Sequence, residues 1–240
     1  IVGSLIARNL VAVEMTSRAS SITVRDTGFE SNGNGFTGAA GGSDITLTSC
    51  TFFDNGGSAL QILSPSSCIT SGCSFISNRG IGLNMGGSGP DTTVTNTLFT
   101  DNAGFALQAV GPNTPTITRC TFSRHRSVAV FLRSSSMQFS EPTFIDCLFS
   151  ENRLWVPGGA IRSVPDSDPT LISCVFFSNS PDAIDGPFTD GGENTFDAPF
   201  ALPPALTEPE CRFADLAEPL DRLDFFDLLA FIAIVEQGCP

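Results

Sequence analysis

The chain contains no lysine, no tyrosine, a single histidine, a single tryptophan and no apolar run long enough to cross a membrane as a helix. All 12 basic residues are therefore arginine, against 25 acidic residues, for a net charge of −13. Residues 1–162 hold ten arginines and ten acids, whereas residues 163–240 hold two arginines and 15 acids. Nucleic acid is not an expected partner, because binding it requires a basic face. No membrane span is expected in this sequence either.

A phenylalanine followed three residues later by an asparagine recurs along the chain. Successive phenylalanines are 23, 23, 24, 23, 27 and 27 residues apart, and His125 replaces the asparagine once. A regular period of this length is typical of a solenoid built from one repeated supersecondary unit. The pairs are Phe29/Asn32, Phe52/Asn55, Phe75/Asn78, Phe99/Asn102, Phe122/His125, Phe149/Asn152 and Phe176/Asn179.

Each repeat holds about three short alternating segments separated by turns rich in Gly, Asn, Ser and Pro. Three positions are expected to point inward: an apolar residue five before the phenylalanine, with Thr70 as the one exception, a cysteine or threonine two before it, and the phenylalanine itself. One repeat cannot bury its own apolar face, so stacked repeats must pair their strands in parallel. We expect an all-β, right-handed parallel β-helix solenoid of about eight coils, followed by a short helical C-terminal appendage.

The repeat also carries a family resemblance. Phe149-Ser-Glu-Asn152 followed by Gly158-Gly159-Ala160-Ile161 resembles the Phe-x-x-Asn and Gly-Gly-Ala-Ile signature of polymorphic outer-membrane protein repeats. More broadly, residues 1–187 are similar to right-handed β-helix proteins of the pectate-lyase-like class. Relatives of that class use clustered acids for calcium with an arginine or lysine base, or pairs of aspartates for hydrolysis.

Three segments are predicted. Residues 1–187 form the parallel β-helix, 188–210 an irregular cap and Pro-rich linker, and 211–240 a helical appendage bracketed by cysteines. The repeat starts within a coil, so we interpret the β-helix as truncated at its N-terminus and any secretion signal as lying upstream. In this alignment the columns of Cys50, Phe52, Asn55 and Ala59 contain, respectively, Gly3, Leu5, Arg8 and Ala12.

The C-terminal appendage resembles the dockerin-like, EF-hand-derived units at the ends of many bacterial surface proteins. An Asp-led loop from Asp215 runs into an apolar helix over 228–236, which Asp224 is expected to cap. The resemblance implies calcium ligands at Asp215, Asp224 and Asp227. Because other early ligand positions and the turn glycine are missing, a weak calcium site and a metal-free capped helix both remain open.

Eight cysteines raise the question of disulfides and zinc. We expect a disulfide between Cys211 and Cys239, which flank a unit too small to hold a core of its own. That disulfide favours a secreted or cell-surface protein. Zinc is disfavoured because CxxC-type pairs are missing, and Cys68 remains open as a partner of Cys73. Free thiols, which pack as small hydrophobes, are expected at the inward column of Cys50, Cys73, Cys120, Cys147 and Cys174.

The asparagine column is expected to form an inward ladder that satisfies backbone groups at a sharp turn. His125 occupies one rung of this ladder. As the only histidine it is a candidate general base, but a turn histidine that is bonded like its neighbours is the favoured interpretation.

The two longer repeats carry excursions at 134–141 and 153–159 in a stretch that holds six of the 12 arginines. Arg126 and Arg153 share a column beside the asparagines, and Trp155 lies in the second excursion. An aromatic ring beside arginine suits stacking on a sugar and pairing with its carboxylate, which predicts an anionic polysaccharide site here. In the alternative, Trp155 packs on the solenoid and the arginines neutralise Asp101, Glu141 and Glu151.

No motif establishes catalysis. Asp101, Arg124 and Glu151 share an outward column, but such a column is commonly a solvated ion-pair ladder. We therefore assign no catalytic residue and no cofactor beyond the possible weak calcium. The leading hypothesis is a non-catalytic secreted or cell-surface β-helix that acts in adhesion or polysaccharide binding. The rival is a polysaccharide lyase or glycoside hydrolase whose catalytic coils lie partly upstream.

Overall fold

The computed structural model describes residues 1–15, 21–38, 44–63, 67–86, 92–134, 139–153, 159–165 and 167–196. They belong to one compact unit, Ile1–Ala198. The second unit, Pro199–Pro240, lies outside the described residues, and so does the predicted helical appendage.

The described residues form three parallel sheets that run the length of a solenoid, and each turn contributes one strand to each sheet. The first sheet contains the repeated phenylalanines. Its strands are β1 (Leu5–Ala7), β4 (Gly28–Glu30), β7 (Thr51–Phe53), β10 (Ser74–Ile76), β13 (Leu98–Thr100), β16 (Thr121–Ser123), β19 (Leu148–Ser150), β22 (Val175–Phe177) and β25 (Thr195–Phe196).

The second sheet follows the asparagine turn and the third sheet precedes the cysteine column. The second consists of β2 (Val11–Met15), β5 (Asn34–Gly38), β8 (Leu60–Leu63), β11 (Leu83–Gly86), β14 (Leu107–Val110), β17 (Val130–Arg133), β20 (Ile161–Ser163) and β23 (Ile184–Asp185). The third consists of β3 (Ser21–Arg25), β6 (Asp44–Thr48), β9 (Ser67–Ser71), β12 (Thr93–Thr95), β15 (Thr116–Thr118), β18 (Thr143–Ile145), β21 (Thr170–Ile172) and β24 (Thr189–Asp190).

The predicted all-β parallel solenoid is confirmed. The turns from β3–β5 to β21–β23 make seven complete coils with partial coils at both ends, where about eight coils were expected. No helix occurs among the residues that the structure describes. Beyond residue 187, β24 and β25 still pair with the preceding turn.

The core is a set of side-chain columns, and the phenylalanine column is the clearest of them. The seven repeated phenylalanines are fully buried. Their rings stack almost parallel, with centroids 4.7–4.9 Å apart from Phe29 to Phe176. Phe196 extends the column at 4.8 Å from Phe176. The phenylalanines therefore form one internal column, as the constant Phe-to-Asn spacing predicts.

Two left-handed residues bend each turn around its first-sheet strand. The residue three before each repeated phenylalanine has φ of 48–60°, and the residue two after it has φ of 51–56°. Asn, Asp and Gly adopt this conformation most readily, although Ser, Arg and Glu also occupy it here. The bends turn the chain from the third sheet into the first and from the first into the second.

The first coil corrects our alignment by one residue at three of its four columns. Ser4, not Gly3, occupies the column of Cys50, whereas Ala12 keeps the column of Ala59. Ile6, not Leu5, pairs with Phe29 and enters the phenylalanine column. Asn9, not Arg8, reaches the next asparagine, with its backbone N–H 2.9 Å from Oδ1 of Asn32. The reason is that this coil also keeps the 23-residue period, and the residue 23 before Phe29 is Ile6. An aliphatic side chain, smaller than phenylalanine, therefore lies at the open end of the stack.

Candidate functional site

The asparagine ladder is fully bonded on most rungs. Oδ1 of Asn78 accepts from both the backbone N–H and Nδ2 of Asn55 at 3.0 Å. Nδ2 of Asn78 donates to the carbonyl of Phe52 at 3.0 Å and to Oδ1 of Asn102 at 2.9 Å. On such a rung the asparagine joins its own turn to both neighbours, which is a structural role.

His125 interrupts this ladder. It is buried, and its Nε2 lies 3.2 Å from the carbonyl of Phe99, the position that Nδ2 of an asparagine would occupy. Its Nδ1 has no hydrogen-bond partner among the described residues. Burial lowers the pKa of His125 to about 4, so the ring is neutral at pH 7. A buried neutral histidine with no access to solvent cannot serve as a general base for an external substrate.

Arg126 and Arg153 lie on neighbouring turns, each directly after a ladder position, at the bend between the first and second sheets. The backbone N–H of Arg153 donates to the carbonyl of His125 at 3.1 Å, which sets the two residues one turn apart. Both are exposed, and neither forms an ion pair with a described residue. The structure thus brings together two of the three predicted ligand-binding residues. Trp155 lies outside the described residues.

Several other arginines of the solenoid are already paired, although Arg8, Arg25 and Arg133, like Arg126 and Arg153, form no ion pair with a described residue. Arg79 occupies the same column position as Arg126 but contacts Asp54 at 3.0 Å. Arg124 contacts Asp101 at 2.7 Å, and Arg162 contacts Asp185 at 3.2 Å. Within each pair the arginine and the aspartate neutralise each other, whereas the charges of Arg126 and Arg153 remain available to a ligand.

The column of Asp101, Arg124 and Glu151 lies at one of the left-handed bends, with φ of 55–56°, and contains one ion pair, between Arg124 and Asp101. The Arg124 guanidinium holds the pKa of the Asp101 carboxyl below its usual range. A carboxylate held ionised in this way is a poor general acid. In the described part of the chain, no group of three or more His, Cys, Asp or Glu side chains is placed to hold a metal ion.

An aromatic pair that the sequence did not reveal lies on the second-sheet side. Phe105 and Phe131 are half-exposed, and their rings stack with centroids 4.8 Å apart. Phe131 faces outward in a column with amide and arginine side chains, formed by Gln61, Asn84, Gln108, Phe131 and Arg162. Phe105 and Phe131 stand at different distances from the repeat motif, so no periodic signal relates them.

The remaining candidate residues have separate outcomes. The cysteines at 50, 68, 73, 120, 147 and 174 are buried free thiols. Burial raises the pKa of the Cys68 thiol to about 11, which makes it unreactive at neutral pH. The predicted disulfide of Cys211 and Cys239 and the predicted calcium ligands Asp215, Asp224 and Asp227 lie outside the described residues.

The fold and its columns define a parallel β-solenoid with inward Phe and Asn ladders and arginine-bearing bends. The family model described as the right handed beta helix region matches residues 12–197, and the chain belongs to that family. A search of curated proteins found no match. A search of solved structures found none either. Among the described residues, no helix is long and apolar enough to span a membrane.

Proposed function

We propose that this chain is a non-catalytic secreted or cell-surface β-helix that binds an anionic polysaccharide at the bend carrying Arg126 and Arg153. The observation that carries this proposal is the pair of exposed guanidinium groups on adjacent turns that have no acidic partner among the described residues. An arginine fork pairs well with a uronate carboxylate.

The surroundings of the arginines support a sugar ligand. Phe131 lies on the same turn as Arg126, and Phe105 lies on the preceding turn, so the stacked rings and both arginines occupy three consecutive turns. Aromatic faces stack on the apolar faces of sugar rings, and the outward amides of Gln108 and Asn84 can hydrogen-bond hydroxyl groups. The stretch 119–162 also carries six arginines against three acids.

The lack of a built catalytic centre in the described coils favours binding over turnover. Asp101 is committed to Arg124, and His125 is buried and neutral. In this proposal the solenoid presents the ligand-binding bend, and residues 211–240 serve attachment or sorting at the cell surface.

The test compares variants with equal charge changes. Binding of the full chain to polygalacturonate and alginate is measured by affinity electrophoresis at low and at physiological salt. Arg126→Ala and Arg153→Ala are expected to weaken binding, and added salt should weaken the wild-type interaction. Arg79→Ala removes the same charge from the same column but frees Asp54, so it serves as the matched control and should change binding less.

Two results would contradict the proposal. Binding that survives the Arg126→Ala, Arg153→Ala double variant unchanged would leave these coils as scaffold only. Release of unsaturated or reducing sugar ends by the purified chain would instead support the rival lyase or hydrolase.

A further inference from the structure

The outer side of the third sheet carries a two-column array dominated by threonine, which we term the threonine face. It comprises two outward positions on each of six consecutive strands, β6, β9, β12, β15, β18 and β21. Its residues are Thr46/Thr48, Ile69/Ser71, Thr93/Thr95, Thr116/Thr118, Thr143/Ile145 and Thr170/Ile172.

The register of this face is continuous. Each residue pairs directly with its equivalent on the next turn, as Thr93 does with Thr116 and Thr95 does with Thr118. The turn-to-turn spacing is that of the phenylalanine stack in the neighbouring sheet, 4.7–4.9 Å. The two columns are separated by two residues of strand, about 6.6 Å. The face is therefore a rectangular lattice of side chains on a rigid support.

The hydroxyl groups of this face are free of hydrogen bonds within the part of the chain that the structure describes. None of its eight threonines, nor Ser71, makes a side-chain hydrogen bond to another described residue. Elsewhere, Thr27 and Thr97 donate to carbonyls of their own turn, and Ser123 donates to Thr100. The hydroxyls of the threonine face are therefore available to hydrogen-bond a partner outside the protein.

The face also excludes charge. All 12 of its residues are uncharged, and 11 of them are β-branched. Along these six strands, charged residues stand only in the flanking columns, with Asp44 and Glu141 on one side and Arg119 and Asp146 on the other. One turn earlier, on β3, Arg25 occupies the column of Thr48 and ends the uncharged array. These 12 residues offer no charge that could pair with a charged polymer. They present a regular pattern of methyl and hydroxyl groups to ordered water.

The two spacings, 4.7–4.9 Å between turns and about 6.6 Å between columns, each lie within about a tenth of a spacing in hydrogen-bonded water. Water molecules joined tetrahedrally by hydrogen bonds of about 2.75 Å have second neighbours about 4.5 Å apart. In the hexagonal stacking of such layers the perpendicular repeat is eight-thirds of that bond, about 7.3 Å. The rise between turns exceeds the first spacing by about 0.3 Å, so the hydroxyls remain in register over three to four turns.

We propose that the threonine face binds the surface of ice. The side-chain lattice holds the outermost water layer through its free hydroxyls, and the methyl groups occupy the gaps of that layer. This function is separate from polysaccharide binding, because the bend that carries Arg126 joins the first and second sheets and not the third.

The test measures ice growth with the full-length chain. Inhibition of ice recrystallisation and thermal hysteresis are recorded for the wild type, for a Thr93→Lys, Thr116→Lys double variant, and for serum albumin at equal mass. The wild type should suppress recrystallisation and shape single ice crystals. The lysine variant should require a concentration about tenfold higher or more, because an unpaired ammonium would have to be buried at the contact.

The matched control places the same charges on another outward face. Thr51 and Thr121 stand outward on β7 and β16 of the first sheet, and the Thr51→Lys, Thr121→Lys variant should retain wild-type activity. Circular dichroism spectra and melting temperatures of all variants establish that the solenoid is intact. If the Thr93→Lys, Thr116→Lys variant fails to fold, Thr95→Arg alone is tested against Thr51→Arg.

Three outcomes would overturn the proposal. The wild type could affect ice no more than albumin does. The first-sheet control could lose activity as completely as the third-sheet variant, which would show that the activity does not depend on the threonine face. The chain could bind crystalline chitin or cellulose through these threonines without affecting ice, which would assign the face to a solid polysaccharide.

Discussion

Replacing Phe75 by alanine tests the stacked core where it is most confined. Its ring is fully buried and lies 4.7 Å from the rings of both Phe52 and Phe99. A buried Phe→Ala substitution costs about 3–5 kcal/mol in lost burial and residual cavity. Because two stacking partners are lost and strand pairing prevents collapse, we expect about 4–5 kcal/mol of destabilisation.

The matched control is Phe196→Ala at the end of the same column. Phe196 is 39% exposed and stacks only on Phe176 within the column. We expect this variant to cost about 1–2 kcal/mol. Urea unfolding followed by circular dichroism gives both values, and an unchanged m-value would show that the same surface unfolds. Equal costs for the two variants would refute the continuous column as the main stabilising element.

Three further predictions follow from the ladder and the thiols. Asn78→Ala leaves backbone groups on neighbouring turns unbonded, and denaturation should show a loss of about 2–4 kcal/mol. The folded pKa of His125 is about 4, below its unfolded value, so its contribution to stability is complete above about pH 6.5 and is lost as pH falls toward 4. His125→Asn should therefore flatten the pH dependence of unfolding by up to about 3 kcal/mol in that window, measured as the difference from wild type. Non-reducing peptide mapping should find Cys211 bonded to Cys239 and the six buried solenoid thiols alkylated only after unfolding; a Cys50–Cys73 cross-link as the main species would contradict this.

The repeat could be read from the sequence because each column position accepts a narrow set of side chains. A flat ring fills the tightly spaced stack at every repeat from Phe29 to Phe176, and an amide with both donor and acceptor fills every rung of the ladder from Asn32 to Asn179 except His125. A period of 23 residues therefore predicted which side chains are buried and which strands pair. The alignment failed only in the first coil, where Ile6 replaces the aromatic ring that marked the column elsewhere.

The functional surfaces were harder to predict, because outward positions are not constrained by packing. The contrast between the paired Arg79 and the unpaired Arg126 depends on Asp54, which lies 25 residues away. The Phe105 and Phe131 stack joins two different positions of the repeat, so the period conceals it. The outward threonines were visible in the sequence, but their unused hydroxyls became evident only from the bonding of the folded chain.

The proposed function is that these coils bind an anionic polysaccharide without cleaving it. The direct measurement is incubation of the full chain with polygalacturonate, followed by affinity electrophoresis and size-exclusion analysis of the same samples. We expect retarded migration that depends on Arg126 and Arg153, and a polymer length that does not change with time. A shortened polymer, or retardation that is indifferent to both arginines, would contradict it.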